Sequence, residues 1–317
     1  MRSINMWEEV ERRIALHQDV SVVRPIGQAP FIVEDEARIG IEAVPWAGKA
    51  VDRFDVPCPT DVELYRRQLG QLISDLQKRG GGKTVLSRII GVNIDFSKNS
   101  LRNLALNLWD AYPETFGFFV YRPNAGLWIG ASPELLFSVD KQGRFETQAL
   151  AGTIPVGRSW DEKNIEEQQL VADYIKNVLT RHGLEHTIHG PEETAYGNIK
   201  HLSTRFSGEL PKGLIIGDFL KELAPTPALS GYPKETALRD IEKYEAHSRN
   251  LYGGYITLSD EDGIASYVVI RCVHIDVDSG RAAIYVGGGI TSKSDVDAEE
   301  EETRQKAFSV INSMKIV

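Results

Sequence analysis

Cysteine is scarce: the chain of 317 residues has two, Cys58 and Cys272, far apart and without the Cys or His spacing of a zinc site. A disulfide framework is therefore excluded, and both thiols read as reduced residues of a cytoplasmic protein. Positive charge is also in deficit, with 36 Lys and Arg against 45 Asp and Glu and a formal net charge of −9. No nucleic-acid partner is expected, because such binders use a basic surface to displace counterions from phosphates. No apolar run approaches the roughly 20 residues that span a bilayer. The opening "MRSINMWEEVERRIALHQ" scatters charges where an export signal needs a compact apolar region. No membrane association is expected. Internal repeats and low-complexity linkers are absent too. With 42% hydrophobic and 26% charged residues, the chain reads as one globular domain over 1–317.

What is present alternates helix and hairpin. Residues 5–18 and 60–79 carry apolar groups at helical spacing, and "RGGGK" (79–83) closes the second helix before the strand-like "TVLSRIIGV". A helical stretch near 97–112 precedes "FGFFVYR", "LWIGAS", "ELLFSVD" and "RFETQAL". Turns at "PNAG" and "DKQG" make these an expected antiparallel meander. Helices are expected over 162–182, 216–223 and 233–251. The strands "GGYITLS", "ASYVVIRCVHIDV" and "RAAIYVGGGI" follow, with a closing helix from near 295. Blocks of helix and antiparallel hairpin, without regular βαβ alternation, predict the α+β class.

The closing helix opens with four consecutive glutamates, 299–302. At 100° per residue, Glu299, Glu302, Lys306 and Val310 share a stripe that runs into the apolar face, Glu301 points away and Glu300 sits at the margin. In "KNIEEQQLVADYIKNVL", Glu167 likewise joins Leu170, Val171, Tyr174 and Val178, while Glu166 points outward. Acids at a helix start complement its dipole, which accounts for Glu300 and Glu301. Carboxylates entering an apolar face need a partner. Lys163 and Lys306 are candidates, and so is one hard cation shared by Glu167 and Glu302, for which all-oxygen ligation favours Mg²⁺. Arg271 also stands out, an apparently unpaired cation on the strand face of Tyr267, Val269 and Val273, whose planar fork suits a carboxylate.

From residue 83 to 307 the ordered segments "KTVLSR", "GASPELLF", "ALAGT", "EEQQLV", "KHLSTRFSG", "APTPALSGYPKETA", "EAHSRNLYGG", "YVVIRC", "YVGGGI" and "EEEETRQKA" are similar to the chorismate-utilising enzymes. The resemblance implies two packed antiparallel β-sheets with outer helices, chorismate as substrate and Mg²⁺ as cofactor. Relative to that family the part before about residue 75 looks shortened. Glu167 and Glu302 match the metal glutamates, with Glu299 as an outer contributor. Lys83 matches a base acting on water and Glu134 an acid acting on a departing hydroxyl. A lysine base needs burial or nearby positive charge, and a glutamic acid needs a dry setting to keep its proton. Arg271, Lys306, Gly152, Thr153, His201, Ala228, Leu229, Tyr252, Gly287 and Gly288 match substrate contacts. The glycine runs, Gly289 included, and Thr153 are expected to offer backbone N–H groups to an anion.

Within the family the pattern resembles the isochorismate-forming branch, which works upstream of menaquinone or siderophore formation. Lys83 stands where aminating members carry glutamine, Ala228 and Leu229 replace the "GT" or "GS" of that branch and the "TVSG" of salicylate synthases, and Ala149 replaces the lysine nucleophile of aminodeoxychorismate synthases. No amidotransferase subunit is implied, and the assembly is expected to be a monomer or homodimer. The alternatives are a salicylate synthase, an ammonia-using anthranilate or aminodeoxychorismate synthase, and a non-catalytic binder of small carboxylates. Two departures from the family pattern are Gln168 and Ala224, each in place of a common histidine.

Overall fold

The structure, a computed structural model, describes residues 6–16, 18, 20–24, 31–32, 39–40, 58–94, 101–122, 125–196, 199–277 and 279–315. In chain order the elements begin with α1 (Met6–Ala15), β1 (Val20–Arg24), β2 (Phe31–Ile32), β3 (Ile39–Gly40), α2 (Val62–Lys78), β4 (Lys83–Asn93) and α3 (Leu101–Ala111). The next are β5 (Phe116–Arg122), β6 (Gly126–Ser132), β7 (Leu135–Asp140), β8 (Arg144–Pro155), α4 (Glu162–Arg181), β9 (Thr187–Tyr196), β10 (Ile199–Glu209) and α5 (Ile216–Leu223). The last are β11 (Gly231–Tyr232), α6 (Lys234–Tyr244), β12 (Tyr255–Asp260), β13 (Gly263–Val268), β14 (Cys272–Ile275), β15 (Arg281–Thr291) and α7 (Val296–Met314).

Among the described residues the strands form two antiparallel sheets, ordered β11-β4-β15-β14-β6-β5-β1-β2 and β3-β12-β13-β7-β8-β10-β9. Alternation along β5 explains why "FGFFVYR" is buried nearly throughout. Phe116, Phe118 and Val120 turn to the layer between the sheets, and Phe119 and Tyr121 turn to the outer layer of α1, α3 and α7. Phe116 stacks on Tyr267 of the other sheet with centroids 4.3 Å apart, joining the two inner faces. Helices α4 and α5 cover the outer face of the second sheet through Val171, Ile175 and Phe219, and α6 packs against β4 and β11 of the first sheet. Helix α2 covers β4 and β15 through Tyr65, Leu69 and Leu72. The expected α+β class and its two packed antiparallel sheets are found.

Helix starts follow their caps. Asp161 accepts from Asn164 N to open α4, and Asp295 accepts from the N–H groups of Asp297 and Ala298 to open α7. Helix α6 stops at Tyr244, short of the expected 251, because Glu245 takes an extended backbone and turns its carboxylate to Ser87 N and Arg249. Residues 97–100 of the expected 97–112 helix lie outside the described residues.

The expected meander divides in two. Strands β5 and β6 pair in one sheet and β7 and β8 in the other, with Pro133 and Glu134 as the crossover. The run "ASYVVIRCVHIDV" divides likewise: β13 ends in one sheet at Val268 and β14 begins in the other at Cys272. Arg271 is therefore not on an alternating strand face. It takes a left-handed backbone, φ +49°, at the turn between sheets. The two crossovers lie side by side, tied by Val268 N donating to Glu134 O at 3.1 Å and Ala131 N donating to Arg271 O at 3.2 Å. Strands β9 and β10 carry no strong period-two signal and were not expected. Strand β9 is a largely exposed sheet edge, so few of its side chains need be apolar.

Candidate active site

A cavity of about 160 Å³ opens between the sheets where the crossovers meet α4 and α7. Glu134 and Arg271 enter it from the crossovers, Glu167 from α4, Lys306 and Ser309 from α7, and His201 from β10. Gly152, Thr153, Ala228, Leu229, Tyr252 and Gly287 line it as well. Lys83, Glu299, Glu302 and Gly288 are not on its wall. Lys83 and Glu302 pair with the lining residues Glu167 and Lys306, Gly288 lies between the lining residues Gly287 and Gly289, and Glu299 is held by Lys163 and Ser294.

Lys83 is the first residue of β4, its side chain 2% exposed, with Nζ 2.8 Å from Glu167 Oε1. The Glu167 carboxylate is thus the partner that meets the buried Lys83 charge. Burial alone would raise the Glu167 carboxyl. The Lys83 ammonium outweighs it, with Lys306 and Lys163 adding, and holds the group below the usual carboxylate range. Glycine makes this approach possible: a Cβ at Gly289 would lie 2.8 Å from both Glu167 Oε1 and Lys83 Cε, and one at Gly288 would lie 3.1 Å from Glu299 Oε2.

The other two carboxylates are matched in the same way. Lys306 Nζ lies 2.7 Å from Glu302 Oε1 and donates to Gly287 O at 3.0 Å. Burial works against the Lys306 charge, but Glu302 and Glu167 outweigh it and keep the ammonium above its ordinary value. Glu299 is 2% exposed and accepts at Oε1 from Lys163 Nζ at 2.6 Å and Ser294 Oγ at 2.7 Å, while Oε2 has no partner. Burial, with Glu302 nearby, raises its carboxyl against the pull of Lys163. The two outward glutamates behave differently from each other. Glu301 is exposed and pairs with Arg304, as expected, whereas Glu300 holds the buried Arg88 at 2.7 Å.

Among the described residues, no three His, Cys, Asp or Glu side chains converge as a ready ligand set. Glu167, Glu302 and Glu299 nevertheless fit a hard divalent cation. All donors are oxygen, the three groups act electrostatically on one lysine, Lys163, and the orphaned Glu299 Oε2 is a buried acceptor that a cation would satisfy.

Opposite this cluster, Glu134 is 3% exposed and its Oε1 has no partner. Burial pushes its carboxyl up to about 8, against the opposing charge of Lys83. At neutral pH it carries its proton and can donate it. His201 is pushed down to about 3 by burial, reinforced by Arg271 and Lys306, and is neutral. Its Nδ1 lies 3.1 Å from Gly152 O, which only accepts, so Nδ1 bears the proton. The buried Nε2, without a partner, is left as an acceptor. Arg271 Nη1 is buried without a partner too.

One expectation about backbone donors changes: Thr153 N already donates to Asn164 Oδ1 at 3.0 Å. Opposite Gly287 and Gly289 in the β15–β4 ladder, Ser87 N and Val85 N turn away from β15 to Glu245 and Ser230, and Gly287 O accepts from Lys306, so the backbone polar groups of Gly287 and Gly289 point away from β4. The sequence also gave no pointer to Tyr112 and Tyr196, whose rings meet the Arg271 guanidinium from α3 and β9. Gln168, in place of histidine, donates to Thr204 Oγ1 at 2.7 Å beneath the site, so that its polarity is satisfied within the protein.

Known proteins share both chain and fold. Isochorismate synthase EntC of Escherichia coli K12 is 32% identical over 278 residues, covering 83% of this chain and 69% of that protein. Anthranilate synthase component 1 of Methanothermobacter thermautotrophicus is 32% identical over 204 residues, covering 59% of this chain and 43% of that protein. The structure of MenF, the menaquinone-specific isochorismate synthase of Escherichia coli, superposes with a TM-score of 0.71 at 20% identity, covering 84% of this chain and 65% of that one. No helix among the described residues is long and apolar enough to cross a membrane. Residues 49–312 match the family described as chorismate binding enzyme, a span that takes in every residue of the cavity, and the chain belongs to that family.

Proposed function

We propose that this chain is a Mg²⁺-dependent isochorismate synthase, acting in the cytoplasm as a monomer or homodimer without an amidotransferase subunit. The observation that carries the reading is the set of buried polar atoms without hydrogen-bond partners on residues that line one cavity: Glu134 Oε1, His201 Nε2 and Arg271 Nη1. Such atoms are costly unless a ligand completes them.

Chorismate is a ring with two carboxylates and a hydroxyl at C4. Arg271 suits one carboxylate through paired N–H donors. Glu167, Glu302 and Glu299 would hold Mg²⁺, which when bound supplies the positive charge that receives the ring carboxylate. Lys83, in its free-amine form, takes a proton from water as the water oxygen bonds to C2. Both ring double bonds shift, C1=C2 to C1=C6 and C5=C6 to C4=C5, and the C4–oxygen bond breaks as Glu134 donates its proton to the departing hydroxyl, which leaves as water. Atoms balance, since one water enters and one leaves. His201 Nε2 accepts from a substrate hydroxyl and orients it. Ala228 and Leu229 present apolar side chains to the cavity and offer ammonia no hydrogen bond, which favours water as nucleophile over the aminating alternatives.

The test is to incubate the pure chain with chorismate and Mg²⁺, with and without ammonia, and to resolve the products by chromatography. Isochorismate without pyruvate is expected. Anthranilate, salicylate or unchanged chorismate would each replace this reading with another.

A further inference from the structure

Arg271 presents an unusual balance of charge. Its guanidinium is half-buried with Nη1 wholly buried, yet among the described residues no carboxylate pairs with it. Burial draws its proton affinity down. The cation centre lies 4.3 Å from the Tyr112 ring centroid and 5.6 Å from that of Tyr196. An acidic partner would stabilise the charge more strongly but would occupy the fork of N–H donors that a ligand needs. An aromatic face attracts the cation through its quadrupole and uses no acceptor atom. The unpartnered Nη1 is the donor left open in this way.

We propose that Tyr112 and Tyr196 are positioning residues, which hold the Arg271 guanidinium through their rings so that its N–H donors stay reserved for a carboxylate of the substrate. The assignment rests on the chorismate reading of the cavity and adds two residues to it. Each ring is anchored by a different part of the fold. Tyr112 follows α3, and its hydroxyl meets Ser309 Oγ at 2.5 Å and accepts from Ser313 Oγ at 3.2 Å, both on α7. Ser309 lines the cavity one turn beyond Lys306, so Tyr112 ties the Arg271 end of the site to the helix that carries Glu302. Tyr196 ends β9, half-buried, with its ring 5.9 Å from that of His201. Arg271 itself needs outside support, because it sits on a left-handed turn between sheets with no strand ladder on its own residue.

The experiment compares Tyr196→Leu, Tyr196→Phe, Arg271→Met and the double variant Tyr196→Leu/Arg271→Met in the full chain. Turnover of chorismate is followed, and binding is followed by calorimetric titration with chorismate and, as a simple carboxylate probe, benzoate. Tyr196→Leu is expected to raise KM and weaken ligand binding roughly tenfold with a much smaller change in kcat. Tyr196→Phe, which keeps the ring, is expected to restore the loss. In the Arg271→Met background Tyr196→Leu should add nothing, since the group it positions is gone. A general folding defect would instead add its loss in both backgrounds, and that outcome overturns the proposal, as does unchanged affinity in Tyr196→Leu. Tyr112→Leu repeats the test from the other ring, judged by the same non-additivity. If the parent chain leaves chorismate unreacted while benzoate binding still depends on Arg271 and Tyr196, the positioning role stands and the isochorismate reading falls.

Discussion

Lys83 Nζ and Glu167 Oε1 meet at 2.8 Å across Gly289, the first from the leading residue of β4 and the second from the cavity side of α4. The contact joins the two roles that the site divides among its polar groups: an amine that must move a proton and a carboxylate suited to a cation. A larger residue at 289 would press on both, so the glycine is required by close approach rather than by its dihedral angles.

Replacing Lys83 by alanine removes the proposed base and leaves Glu167 without its nearest counter-charge. A positioned base acts mainly on the transition state. The expected result is a fall in kcat of roughly 10² to 10⁴-fold, the usual range for general acid–base groups, with chorismate affinity largely kept. Steady-state kinetics and a binding titration on the same sample check this. A variant with parental kcat would remove Lys83 from the mechanism.

Glu134 predicts the alkaline side of the pH profile. Its carboxyl is pushed up to about 8 by burial, so the donating form is present at neutral pH and declines above it. The rate should fall on the basic side with an apparent pKa near that value. Glu134→Gln should be slow and flat across the same range. Stability moves with it: a folded-state pKa above the ordinary 4.5 means that this group's contribution is full below 4.5 and is lost as pH rises through about 8. Thermal unfolding of parent and Glu134→Gln between pH 6 and 9, in general buffers, should show a decline in the parent that the variant lacks. His201, already neutral in the folded protein, should add no step to the rate profile between pH 5 and 7, while its unfolded form takes up a proton below 6.5 and lowers stability equally in parent and variant.

The two sides of α7 give a paired comparison. Glu302→Gln takes away a carboxylate bound to Lys306 at 2.7 Å and is expected to weaken Mg²⁺ binding by tenfold or more. Glu301→Gln removes a solvent-screened pair with Arg304 and a contact with Gln305, and is expected to leave Mg²⁺ binding unchanged. Metal titration by calorimetry separates them, and equal behaviour would mean that the helix face carries no functional distinction.

Much of this was legible in the chain. Helical periodicity separated Glu167 from the exposed Glu166, because side chains on a regular helix are fixed by their spacing, whereas Glu302 and Glu301 are 34% and 40% exposed and differ in the partner each holds rather than in burial. Lys163 and Lys306, each written as a candidate for local neutralisation, both act in that way while the glutamates still line or back the cavity. The crossovers were not legible. "ASYVVIRCVHIDV" is apolar enough for one continuous strand, and only the left-handed turn at Arg271 shows that it feeds two sheets. Tyr112 and Tyr196 were invisible for a related reason: their role arises from three distant segments meeting at one guanidinium, and no local pattern encodes that meeting.

Lys163 gives the sharpest test of how charge is balanced in the site. Three carboxylates, Glu167, Glu299 and Glu302, face three ammonium groups, Lys83, Lys163 and Lys306, so the cluster is close to neutral by itself. A divalent cation entering it must compete with those ammonium groups for oxygen. Lys163 is the partner of the most buried carboxylate and holds Oε1 of Glu299, whose other oxygen is unpartnered. Lys163→Met removes that competitor while keeping most of the side chain's apolar bulk, and leaves the cluster with one extra negative charge. Mg²⁺ binding in the absence of chorismate should therefore tighten, by roughly tenfold or ~1.4 kcal/mol, and adding Glu299→Gln should cancel the gain because the released carboxylate is gone. Calorimetric titration of the three proteins at one ionic strength provides the measurement. Affinity that stays the same in Lys163→Met would place Glu299 outside the cation's reach and leave Glu167 and Glu302 as the only acids to hold it.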